Sequence, residues 1–169
     1  SEDLTVLGDE QFKPYARIAV VVTADNNPDE CIFDGYVLSH RIHLDRGTTA
    51  SSVQVWGQDA SCLMNLEEKV RRWSDPDGQI ANTIFQDYGF TPDGENLSED
   101  SGPPDSTVMQ RATDAQFLRD RARRAGMLFR VCCGQRAGNN TGYFIKPKLQ
   151  GETVPPPLVL NPPHESHVD

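Results

Sequence analysis

The sequence predicts an α+β domain: a small antiparallel β-barrel-like sheet with helices inserted into it or flanking it. Three observations predict this. Residues 15–56 alternate apolar and polar positions between turn clusters, which is the period of half-buried strands. At Gly57–Asp59 the period changes from 2 to 3.6. Residues 110–131 then read as a strand, a capped helix, a glycine stop and another strand, with almost no slack.

The first strand is expected over 15–23, where Ile18, Val20 and Val22 share one face. The second is expected over 31–45 through Ile32, Tyr36, Leu38, Ile42 and Leu44, with Gly35 marking a bulge or the close approach of another strand. The cluster Asp25-Asn26-Asn27-Pro28-Asp29 between them is turn chemistry, so the two strands should pair antiparallel. A second turn at Asp45–Thr49 leads to a strand at 51–56.

Two helices are expected next. Asp59 is placed to cap one over 59–72, with Leu63, Leu66, Val70 and Trp73 as its apolar stripe. Ser74-Asp75-Pro76-Asp77-Gly78 ends it and starts another over 77–88, carrying Ile80, Ile84, Phe85 and Tyr88 and closing at Gly89. Thr91–Ser106 holds three prolines, two glycines and five acids with no basic residue, a composition suited to an extended acidic loop.

The third helix is the best marked. Thr113 followed by Gln116 is a capping box, so the helix should run near 114–125 with Ala115, Leu118, Ala122 and Ala125 on one stripe. Gly126 can take the left-handed conformation that closes it, before the strand Met127–Val131. A turn at Gly134–Asn140 precedes a short strand at Tyr143–Ile145, and the prolines at 155–157 and 162–163 mark a semi-rigid exit. The chain thus divides into a barrel-type β segment (1–57), a two-helix segment (58–90), the acidic loop (91–106), a strand–helix–strand returning to the sheet (107–150) and a proline-rich linker or tail (151–169).

With 169 residues and a net charge of −9, the chain has room for a real core, and its acidity argues against a general binder of nucleic acid or of anionic membranes. It lacks an apolar run long enough to insert in a membrane. Residues 111–136 are the exception in charge, with seven arginines against two acids. Arginine pairs carboxylates in two-point fashion, so Arg119, Arg121, Arg123 and Arg124 are candidates for a subunit interface; a solvated helix face with pairs such as Asp120 and Arg124 is the plainer reading.

Nothing in the sequence singles out catalytic, cofactor-binding or metal-binding residues. His164 and His167 stand three apart in a proline-rich tail, not four apart on a helix as in zinc proteases. His40 and His43 project to opposite faces of a strand. Cys31 and Cys62 read as small core residues, and adjacent Cys132 and Cys133 point apart. No cofactor is expected, and the chain is expected not to be an enzyme.

Taken in order, the motifs resemble the baseplate hubs of contractile injection machines, the phage late control protein D family and the VgrG-type spikes of type VI secretion. The residues carrying the resemblance are Gly35 in Phe33–Val37, Gly57 and Asp59 in Val53–Asp59, and Gln110, Asp114, Phe117, Leu118, Gly126 and Phe129 in the third block. It implies a structural subunit of a phage tail, a type VI-like or an extracellular injection particle. Such a subunit forms a homotrimeric ring that joins the tail tube protein to the spike protein, with baseplate subunits as further partners. It would be assembled in the bacterial cytoplasm and end in the virion tail or particle baseplate. The alternatives are a tail-associated cell-wall hydrolase module and a monomeric effector- or chaperone-binding module.

Overall fold

A computed structural model describes residues 10, 13–23, 28–43, 51–93 and 107–147. Its elements are β1 (Arg17–Val22), β2 (Glu30–His43), β3 (Ser52–Asp59), a 3-10 helix (Ala60–Asn65), β4 (Glu68–Trp73), α1 (Asp77–Asp87), β5 (Thr91–Pro92), β6 (Val108–Thr113), α2 (Asp114–Ala125), β7 (Leu128–Cys133) and β8 (Asn140–Ile145). The turn at 45–49, the loop residues 94–106 and the segment 151–169 lie outside the described residues.

The α+β class holds, but the sheet is not a barrel. Among the described residues the strands fall into three separate sheets: β1-β2-β3, β4-β6 and β5-β8-β7. β1 and β3 both run antiparallel to β2, as the turn chemistry suggested. Closure fails because the next strand, β4, is taken by β6 in register from Glu68↔Thr113 to Trp73↔Val108. The outer edges of β1 and β3 are left without a strand partner in that sheet.

The expected helix over 59–72 is the main departure. Asp59 does cap, its carboxylate accepting from the Ser61 N–H at 2.9 Å, but only a 3-10 helix follows. From Glu68 the chain is extended, with Lys69, Arg71 and Trp73 turned inward and Glu68, Val70 and Arg72 outward. Two members of the expected stripe are therefore exposed, Leu66 and Val70. A strand partner in β6 and a buried acceptor for Lys69 outweigh the local helical period, as tertiary pairing commonly does.

The other two helices form where their signals stand. α1 carries Ile80, Ile84 and Phe85 into the core, and Gly89 follows it at φ 71°. In α2 the Thr113 hydroxyl accepts from the Gln116 N–H at 3.2 Å, and Gly126 closes the helix at φ 65°. Asp114 in the first turn and Arg123 and Arg124 in the last both suit the helix dipole. Ala125, expected on the buried stripe, is exposed, whereas Ala115, Leu118 and Ala122 are buried.

One apolar core gathers the 3-10 helix, β4, α1, α2, β7 and β8, with Met64, Ile84, Phe85, Leu118 and Phe144 at its centre. The Phe85 ring stacks on Phe129 with centroids 6.1 Å apart. Gly142 on β8 leaves the space that this ring fills: a Cβ there would run into Phe85.

Candidate interaction surface

The sheet β1-β2-β3 is built of residues that favour strands yet stand largely in solvent. Val20, Val21 and Val22 on β1 are each 44–48% exposed, Ile32 on β2 is 58% exposed, and Trp56 on β3 is 45% exposed. Leu38 and Val53 are also exposed. β2 outruns β1: β1 pairs with it only from Glu30 to Tyr36, whereas β3 pairs with it from Gly35 to His43. The far half is thus a two-stranded ribbon, on which the Arg41 guanidinium lies 5.4 Å from the centre of the Trp56 ring. Free strand edges present unpaired N–H and C=O groups, and contiguous exposed apolar residues mark contact surfaces.

Two glycines hold β2 and β3 together. A Cβ on Gly35 would collide with the Gln58 carbonyl, and one on Gly57 would lie 2.8 Å from the Tyr36 carbonyl oxygen. This is the close strand approach that Gly35 suggested in the sequence. The register slips between Val20 and Val21 and between Val37 and Ser39, so the sheet is bent at two places.

A buried carboxylate fastens this sheet to the rest of the molecule. Asp34 accepts from Arg17 Nε at 2.8 Å and Nη2 at 2.6 Å, from the Gly138 N–H at 2.7 Å and from Asn140 Nδ2 at 3.4 Å. The Arg17 hydrogen bonds hold its carboxyl below the usual carboxylate range against the upward pull of burial. Beside it, the Cys31 N–H donates to the Gln135 carbonyl at 3.0 Å. Neither Asp34 nor Arg17 was singled out by the sequence; a charged residue between apolar neighbours on a strand was the only available signal.

The residues that were singled out divide by role. Gln110 and Asp114 form a second buried polar centre: the Trp73 indole donates to Gln110 Oε1 at 2.9 Å, and Gln110 Nε2 donates to Asp114 Oδ1 at 2.6 Å. The other Asp114 oxygen accepts from Tyr88 at 2.8 Å and from Lys69. Burial pulls the Asp114 carboxyl up, but its bonds to Lys69, Gln110 and Tyr88 hold it below the ordinary value. Burial raises the Tyr88 phenol. Phe117 and Leu118 are buried, Phe129 packs against the core, and Gly126 is the left-handed cap. All of these build the fold.

The arginine candidates do not act as a set. Arg121 is spent on buried Asp77, with Nε 2.7 Å and Nη2 2.6 Å from Oδ1. Arg119 donates to Gln116 on its own helix, and Asp120 accepts from Gln116 rather than pairing with Arg124. Arg123 and Arg124 are exposed.

Chemically the described residues offer structure more than reactivity. The three buried aspartates, Asp34, Asp77 and Asp114, are each engaged by a basic side chain. Among the described residues no group of three or more His, Cys, Asp or Glu could hold a metal ion. An open hollow of about 420 Å³ lies between Val21, Pro28 and Asp29 on one side and Gln135, Arg136 and Ala137 on the other. No described helix is long and apolar enough to cross a membrane.

The family model of the Alg8 N-terminal domain matches residues 1–141. A comparison with curated proteins gives no match. The family match overturns the resemblance to the late control protein D and VgrG-type hubs. With it goes the role of a subunit joining tail tube to spike, and neither the tail-associated hydrolase module nor the monomeric effector- or chaperone-binding module finds support. The glycine and helix-cap pattern that carried the resemblance is explained by the fold itself: Gly35 and Gly57 by close strand approach, Thr113 and Gly126 by the caps of α2.

Proposed function

The chain belongs to the Alg8 N-terminal domain family, and on that premise we propose that it is a non-catalytic assembly domain that joins copies of itself through the β1-β2-β3 sheet. One observation carries this: among the described residues an open sheet with two unpaired edges bears exposed Val20, Val21, Val22, Ile32, Val53 and Trp56. In this arrangement the β1 edge of one copy meets the β3 edge of the next, a head-to-tail contact that generates a ring when the rotation closes. A closed sheet of about eight strands has an interior just wide enough for side chains to fill, and three copies of a three-stranded sheet come nearest to that number. Three copies is therefore the proposed stoichiometry. Strand pairing and apolar contact supply most of the affinity; exposed ion pairs made by Arg123 or Arg124 add only about 0–1 kcal/mol each.

Sedimentation of the full chain across a concentration series tests this. The expected result is a species of three chains that gives way to monomer on dilution. Val20→Lys and Trp56→Lys should each shift it toward monomer while leaving the thermal midpoint of the dilute monomer unchanged, since both side chains are exposed in the single chain. A monomer at every concentration refutes the proposal.

A further inference from the structure

Cys31 and Cys133 stand 102 positions apart in the chain and meet where β2 packs on β7. The Cys133 thiol donates to the Cys31 carbonyl at 3.3 Å, and burial, with Cys31 beside it, raises that thiol above its ordinary value. The backbones are already clamped here, because the Cys31 N–H donates to the Gln135 carbonyl at 3.0 Å. Both thiols are free. Cys31 is buried and Cys133 only partly so, which gives them different access to solvent. The Cys31 thiol donates to the Phe33 carbonyl at 3.2 Å, a weak sulfur hydrogen bond that one side-chain rotation releases. Cys132 is no competitor, since strand neighbours point to opposite faces and its backbone partner is Thr141.

We propose that Cys31 and Cys133 are a redox pair that hydrogen peroxide closes into a reversible disulfide, stapling the β1-β2-β3 sheet to β7. The more accessible Cys133 reacts first, through the small thiolate fraction that its raised thiol leaves: the thiolate sulfur attacks a peroxide oxygen, the O–O bond breaks, and sulfenic acid and hydroxide result. The Cys31 thiolate then attacks the Cys133 sulfur, the S–O bond breaks and the second hydroxide leaves. The protons released by the two thiols neutralise these hydroxides. In sum, two thiols and one peroxide give one disulfide and two waters, the sulfurs losing the two electrons that the peroxide gains. Thiol reductants reverse the closure by exchange.

The test uses the reduced full-length chain, titrated with hydrogen peroxide and mapped by mass spectrometry of non-reduced peptides. The expected product is a within-chain link joining the Cys31 and Cys133 peptides, with Cys132 free. It should revert with dithiothreitol and melt several degrees above the reduced chain, because a long loop has been closed. Cys132→Ser should keep the link. Cys133→Ser should lose it, and if that variant fails to fold, the peptide map of the unaltered chain still decides. A Cys132–Cys133 link, a link between chains, or Cys133 oxidised to sulfinic acid beside reduced Cys31 overturns the proposal. So does a Cys31–Cys133 link that forms as fast in urea as in the folded protein.

Discussion

Replacing Asp114 with alanine probes the polar centre on which β4, α1 and α2 converge. The substitution strips an acceptor from three donors at once: Lys69 Nζ, Tyr88 Oη and Gln110 Nε2. Gln110 is fully buried; its Oε1 still accepts from the Trp73 indole, but its Nε2 keeps only a bond of 3.3 Å to the Ala112 carbonyl. The Lys69 side chain is 18% exposed, so it recovers some hydration by turning outward. Breaking one partner of a buried pair typically costs about 3–5 kcal/mol, and the partial exposure of Lys69 sets the expectation near the lower end, about 3 kcal/mol. Asp114→Asn should be little better. An amide that accepts from Gln110 must point its own N–H₂ at Lys69, and turning it round sets it against Gln110 Nε2 instead. Urea unfolding at neutral pH measures both, as a lowered midpoint with an unchanged slope.

The same residue fixes the pH dependence. Its carboxyl lies below the ordinary value in the folded chain, so the folded state holds fewer protons than the unfolded state as pH falls. Its contribution is therefore fully present above the unfolded value of about 3.9 and is lost as pH drops through the lower folded value. The acid limb of the stability profile should be shallower in Asp114→Ala than in the unaltered chain. An unfolding free energy within about 0.5 kcal/mol of the unaltered protein, or an unchanged acid limb, would refute the reasoning.

Further outcomes follow from named contacts. Leu118→Ala, at a position with no exposed surface, should lower stability by about 2–5 kcal/mol in the same urea assay. Gly126→Ala should cost about 1–2 kcal/mol because φ is 65° there, and Gly126→Val should cost more; equal stability of all three would remove the left-handed cap. Gly35→Ala should disrupt the pairing of β2 with β3, since its Cβ meets the Gln58 carbonyl, and circular dichroism should register the lost strand signal. Arg123→Glu with Arg124→Glu should leave the thermal midpoint within a few degrees, both side chains being exposed, with the small loss coming from the helix dipole.

Elements carrying their own punctuation were legible in the sequence. α2 has a capping box at Thr113 and Gln116 and a left-handed stop at Gly126, so its limits are written within about a dozen residues. β1 and β2 show period-2 alternation on either side of turn residues, and their antiparallel pairing follows. β4 was not legible, because Leu66, Val70 and Trp73 happen to fall at helical spacing while the deciding interactions lie some 40 residues away, in β6 and Asp114. Barrel closure failed for a related reason: local strands announce themselves, but which edge pairs with which is set by distant partners. The interaction surface was half legible. Val20, Val22 and Trp56 were read as strand residues, but periodicity does not reveal that no described residue covers them. The arginines were legible as charge, whereas the pairing of Arg121 with Asp77 needed the fold.

The apolar core draws on the 3-10 helix, both helices, β4, β7 and β8, and among the described residues of the first three strands Tyr36 leans against it. The two parts are joined by the Asp34 bonds to Gly138 and Asn140, the Cys31–Gln135 backbone bond and the packing of β2 and β3 on the 3-10 helix and β7. The molecule should therefore open in two stages. Amide protons of β1, β2 and β3 exchange with solvent through a partial opening that leaves α1, α2 and the β7–β8 pair closed, at a lower free energy than global unfolding. The surface proposed to meet a neighbouring copy is thus carried on the less protected part of the chain, and such association should slow its exchange.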